Sequence, residues 1–88
     1  MSEKESLLKF PCQFAIKAMG KTDSEPDLVA VEIVRRHIVD IKEGAITMRS
    51  SKDGNYTAVT ILIEASSRQQ LDAIYQDLSA HPDILMAL

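Results

Sequence analysis

Few side chains in this chain are of types that do chemistry. There is one cysteine, Cys12, and there are two histidines, His37 and His81. Cys12 with His37 would be a thiol nucleophile beside a base. However, Phe10, Cys12, Phe14, Ile16 and Ala18 recur at every second position, which puts the thiol on the apolar side of a strand, where a cysteine is normally inert filling. No orienting third group or oxyanion-stabilising motif accompanies the pair. The order of elements, given below, sends the two histidines to opposite ends of the domain. They would be separated by about one strand length, roughly 20 Å, so they should not share a metal ion. The carboxylates show no catalytic spacing. Glu25 and Asp27 stand at a helix start, where an acid meets the helix dipole favourably. Met19, Met48 and Met86 alternate with strand residues and read as packing groups. The expectation is a non-enzyme with no metal and no cofactor.

A second set offers binding chemistry instead: Lys17, Gly20, Arg49, Ser51, Lys52 and Tyr56. Brought to one end of a sheet, these cations, hydroxyls and turn amides beside a helix start would suit a carboxylate or phosphate. A small anionic metabolite is the ligand class they imply. The plainer reading is that the lysines serve solubility and that Gly54 is present for turn geometry.

The elements that must position these groups follow from periodicity. The alternation from Phe10 onward predicts a first strand ended by Gly20. Ser24, Pro26 and Asp27 supply an N-cap, an early-helix proline and an acid in the first turn. Leu28, Val31, Val34 and Ile38 then make the inward stripe of a helix. Residues 45–50 form a second strand, with Ile46 and Met48 alternating against Thr47 and Arg49. A turn over 51–55 contains Asp53-Gly54, which tolerates positive φ and so joins antiparallel strands. Residues 56–65 are β-branched and alternate, with Thr57, Val59, Ile61 and Ile63 on one face and Tyr56, Ala58, Thr60, Leu62 and Glu64 on the other. Ser67 with Gln70 forms a capping box for a second helix with an inward stripe of Leu71, Ile74, Tyr75 and Leu78, which His81-Pro82 ends. Residues 84–88 are a short apolar last strand.

The order βαββαβ predicts an α+β ferredoxin-like sandwich. Its four antiparallel strands run in the order 4132, with both helices on one face. The other face is left open and carries Ala15, Lys17, Met19, Thr47, Arg49, Tyr56, Ala58, Thr60 and Leu62. That mixture is too apolar for a purely solvated surface, which makes the face a candidate interface. Residues 1–9 read as an N-terminal arm and 10–88 as a single domain.

Composition narrows the function classes. The chain has 45% hydrophobic and 26% charged residues, which suits a single packed core rather than disorder. A domain of 88 residues buries only about 60–70% of its unfolded surface, so association that hides more apolar area is expected, as a homodimer through the sheet face. A net charge of −3 and a pI near 5.2 disfavour nucleic acid, as does having Tyr56 alone as an aromatic on the open face. No apolar run approaches the roughly 18 residues of a membrane span, and the first residues lack the pattern of a secretory signal. With a single cysteine, the expected location is the cytoplasm.

Several local patterns together resemble a known family. Phe10-Pro11, Phe14, Lys17 and Met19-Gly20, then Val31 to His37, then Ser50-Ser51-Lys52 followed by Gly54-Asn55-Tyr56, look like the YbeD family of small bacterial proteins of unknown function. The family's hairpin often reads S-S-K-G-N-Y, so Asp53 makes the tip one residue longer here. The resemblance implies a ferredoxin-like fold similar to ACT regulatory domains. Because family members are sometimes encoded beside lipoate-attachment enzymes, it also implies a regulatory or accessory role, through a ligand or a partner enzyme. An adaptor without a small ligand is the alternative, and a small thiol enzyme at the Cys12 end is a further one. Which ligand or partner is involved does not follow from the resemblance.

Overall fold

The computed structural model describes residues 9–42 and 44–88. The proposed arm over 1–9 therefore falls outside the described residues except for Lys9, which is exposed. The elements are β1 (Cys12–Lys21), a 3-10 turn (Thr22–Ser24), α1 (Pro26–Arg35), β2 (Ile46–Ser50), β3 (Tyr56–Ala65), α2 (Arg68–Ala80) and β4 (Met86–Ala87). The strands pair antiparallel in the order β2-β3-β1-β4, the expected ferredoxin-like arrangement.

The register fixes the two faces. Ile16 stands opposite Ile61 and Ala18 opposite Val59, while Lys17 stands opposite Thr60 and Met19 opposite Ala58. Because side chains alternate along a strand, the first two pairs share one face and the last two the other. The covered face supplies Ile16, Ala18, Val59, Ile61, Ile63 and Ala65 to the core, and the helices supply Ala30, Ile33, Val34, Leu71, Ile74 and Leu78. The one buried polar side chain among the described residues, Thr57, is satisfied by the Thr22 hydroxyl at 2.9 Å.

Three local features differ from the sequence expectation. In α1 the inward groups are Pro26, Ala30, Ile33 and Val34, while Leu28 is 59% exposed. The helix starts in close packing on β1, where Pro26 Cβ lies 2.9 Å from the place a Cβ on Gly20 would take. Ser24 does not cap this helix. It lies in the 3-10 turn, and Glu25 takes the N-cap position in a left-handed conformation with φ 51° and no side-chain bond. Gly20 does not end β1, which runs on to Lys21. A Cβ at Gly20 would lie 2.3 Å from the Asp83 carbonyl oxygen and 2.9 Å from the Pro26 Cβ, so the glycine admits the α2–β4 connection and the start of α1 against the strand.

Other signals hold. Ser67 Oγ accepts the Gln70 N–H at 3.1 Å, although Gln70 Oε1 reaches back to the Ser66 N–H rather than to that of Ser67. The helix ends at Ala80, before His81-Pro82. The last strand is short, but its ladder extends beyond Met86–Ala87. Leu85 N–H bonds the Met19 carbonyl, and Leu88 exchanges two backbone bonds with Lys17.

Candidate functional site: the open sheet face

Four strands with helices on one side leave the other side of the sheet uncovered, and the register says which residues occupy it. One row runs Met86, Met19, Ala58 and Arg49 across β4, β1, β3 and β2. The next runs Leu88, Lys17, Thr60 and Thr47. Ala15 pairs with Leu62 beyond it, and Lys21 with Tyr56 at the other end. Every residue expected on the open face is there. Leu62, Met86 and Leu88 are 52%, 49% and 70% exposed, so the face carries large apolar groups that the other described residues leave uncovered.

The cations are arranged around an apolar centre. Lys17 and Lys21 lie two positions either side of Met19 on β1, about 13 Å apart at the rise of a strand. Arg49 lies in the row of Met19 but two strands away, about 10 Å. The ion pairs among the described residues are Arg36 with Glu32, His37 with Asp77 and Arg68 with Asp72, all on or beside the helices. None involves Lys17, Lys21 or Arg49. Among the described residues the acid on this face is Glu64, which stands at the far end, opposite Gln13. One end of the open face is therefore basic, although the chain as a whole is acidic.

The anion set named from sequence is only partly brought together. Lys17 and Arg49 share the open face, and Tyr56 borders it. Gly20 does not, because it is buried on the covered side against Asp83 and Pro26. Ser51 has its donor taken. Its hydroxyl donates to Asp53 Oδ1 at 2.8 Å and accepts the Tyr56 N–H at 3.1 Å. The extra tip residue, Asp53, also accepts from the Asn55 backbone N–H and from Asn55 Nδ2. These bonds, the Asn55 N–H first and the Ser51 hydroxyl next, hold its carboxyl below the ordinary value. The hairpin tip thus encloses its own carboxylate and is no nest for another anion. Lys52 stays exposed at the tip. Lys21 was missed from sequence because Gly20 was read as the strand's end. Continuing the alternation through a glycine would have found it.

The His37 end is built differently. His37 Nε2 lies 2.7 Å from Asp77 Oδ2, and the His37 carbonyl accepts from Gln70 Nε2, so the residue clasps the end of α1 to α2. His81 Nδ1 accepts the Asp83 N–H. Cys12 is half-buried on the covered-face parity, opposite Ala65. Beside His37 a shallow groove of about 640 Å³ runs under the loop that follows α1, lined in part by Gln13, Asp40, Lys42 and Glu64. Among the described residues, no three His, Cys, Asp or Glu side chains come together as metal ligands, and no helix is long and apolar enough to cross a membrane.

Comparison with known proteins agrees with this architecture. A family model described as "Protein of unknown function (DUF493)" matches residues 5–88. A UPF0250 protein of Chromobacterium violaceum is 42% identical over 86 residues, spanning 98% of this chain and 97% of that protein. Another from Paraburkholderia phytofirmans is 41% identical over 87 residues, spanning 99% and 98%. In three dimensions the chain is similar to the solution structure of protein HP0495 from H. pylori, with a TM-score of 0.72 and 16% identity over 92% of this chain and 85% of that one. At that identity the likeness shows the fold.

Proposed function

The chain belongs to the DUF493 family of proteins of unknown function, and on that premise we propose that it is a non-catalytic binding module that works through the open face of its sheet. The observation that carries this reading is the combination on one face of uncovered Leu62, Met86 and Leu88 with Lys17, Lys21 and Arg49. Lone apolar side chains on a surface are ordinary. Several uncovered apolar side chains interspersed with cations that make no ion pair among the described residues are what a docking surface presents. The His37 end supports no comparable reading, because its ring is engaged with Asp77.

The face suits three kinds of occupant: a second copy of the chain, a partner enzyme, or a small anionic metabolite held at its basic end. A regulatory role, including one beside enzymes that handle lipoate-type carboxylates, is consistent with the last two. The test is a thermal-shift screen of the full chain against amino acids, nucleotides, octanoate and lipoate, with Lys17→Ala/Arg49→Ala alongside, since a ligand that binds only the folded state raises the melting temperature. The double variant should melt where the parent does, because exposed cations contribute at most about 1 kcal/mol to folding. It should also lose the shift produced by any anionic ligand. A ligand that raises both melting temperatures equally binds elsewhere and contradicts the reading.

A further inference from the structure

We propose that the occupant of the open face is an acidic, amphipathic helical segment of a partner protein. This inference rests on the open-face reading above and names its partner. The first argument is the spacing of charge. Lys17, Lys21 and Arg49 surround Met19 and Ala58 at separations from one another of about 12–13 Å between backbone positions. A single carboxylate or phosphate could meet two of them only if their side chains folded over Met19 or Ala58, covering the apolar centre they frame. Carboxylates two turns apart on a helix are separated by about 10 Å along its axis, so one helix can offer an acid to Lys17 and another to Lys21. The apolar stripe between those acids then falls on Met19, with Met86 and Ala58 on either side of it. The space also fits. The face is about 15 Å across its four strands, and a helix with its side chains is about 10–12 Å in diameter.

Charge decides against the other macromolecular occupants. A second copy docked on the same face would bring two sets of Lys17, Lys21 and Arg49 together, relieved, among the described residues of that face, by one Glu64 from each copy. RNA on a sheet of this kind stacks its bases on aromatic rings. Among the described residues this face offers Tyr56, at its margin, and aliphatic side chains at its centre. An acidic amphipathic partner satisfies the cations and covers the aliphatic groups together, which is the pattern of an apolar interface core with a charged rim.

The experiment measures fluorescence anisotropy of the full chain with a labelled synthetic helical peptide carrying a leucine stripe flanked by glutamates. The comparison probes are the same peptide with lysines for glutamates and a uridine oligoribonucleotide, and the protein's mass is taken from light scattering. The proposal expects the glutamate peptide to bind, the lysine peptide not to bind, and binding to weaken with added salt. Lys17→Glu/Arg49→Glu should weaken it roughly tenfold or more, since two exposed pairs become two repulsions. Arg35→Glu, on the exposed side of α1, should leave it unchanged. Lys21→Glu provides a single-site version should the double variant melt earlier than the parent. Absence of binding, equal binding of both peptides, unchanged affinity in the open-face variants, or tighter binding of the oligoribonucleotide would each overturn the proposal. A two-chain mass that Met19→Asp reduces to one would also overturn it while leaving the open-face reading intact, because the face would then be occupied by a second copy.

Discussion

Ile61 and Leu62 are neighbours in β3 with similar side chains and opposite fates: the first is 1% exposed and the second 52%. The backbone pairs both equally well, to Ile16 and Ala15 on one side and toward β2 on the other. What separates them is the period of the strand. Odd-numbered residues of β3 meet the helices and carry the stability of the domain. Even-numbered residues face outward, and the apolar and basic groups placed there contribute little that folding requires. Conserving fold energy on one face leaves the composition of the other free to serve a partner.

The largest effect should come from substituting within that neighbouring pair. Ile61→Ala leaves a cavity in the centre of the core and should cost about 2–5 kcal/mol in urea unfolding. Leu62→Ala should stay within about 0.5 kcal/mol, as surface substitutions do. Equal losses would mean that the open face is covered in the folded protein at the concentration of the experiment. A second neighbouring pair sharpens the comparison. Gly20→Ala pushes a Cβ into the Asp83 carbonyl and Pro26, and overpacking of that kind should cost about 1–3 kcal/mol. Met19→Ala, one residue away on the open side, should cost less than Gly20→Ala. The reverse order would invert the parity of β1.

The smallest effect lies in the hairpin tip. Asp53 has its carboxyl held below the ordinary 3.8 in the folded chain. A group depressed by folding contributes its stability above the unfolded value and loses it as pH falls through the folded one. The melting temperature of the parent should therefore drop, on acidification from pH about 5, more than that of Asp53→Asn, with the difference developing below pH about 4. Parallel curves would show that the tip bonds do not bias the carboxyl. Because the tip is fully exposed, the effect is confined to a small relative shift.

Topology, strand order and the sorting of residues between faces were legible in the sequence because they depend on a period of two and on a hairpin marked by Asp53-Gly54. The register needs little else, since a one-residue slip would reverse every side chain in β3. The phase of α1 was not legible. Leu28 outweighs Pro26 and Ala30 in any count of hydrophobic spacing, and only the close approach of that helix to Gly20 makes the small residues the inward ones. The candidate site was half legible. Lys17, Arg49 and Tyr56 follow from strand parity. The exclusion of Gly20 depends on the α2–β4 connection and that of Ser51 on the bonds Asp53 makes, neither of which spacing reveals. Lys21 was hidden by reading a glycine as punctuation when it is an accommodation for neighbouring backbone. The His37–Asp77 clasp joins residues forty apart in sequence and leaves no local signal.

The claim that the open face is the working surface is tested most directly by amide-resolved NMR of the full chain, titrated with the glutamate-bearing peptide and with any compound that raises its melting temperature. The account predicts that the shifts gather on Lys17, Met19, Lys21, Arg49, Ala58 and Met86, with the His37, Asp40 and Gln70 amides unmoved. Shifts that gather around the groove at His37, Asp40 and Gln70, with the Lys17, Met19, Arg49 and Ala58 amides unchanged, would contradict it.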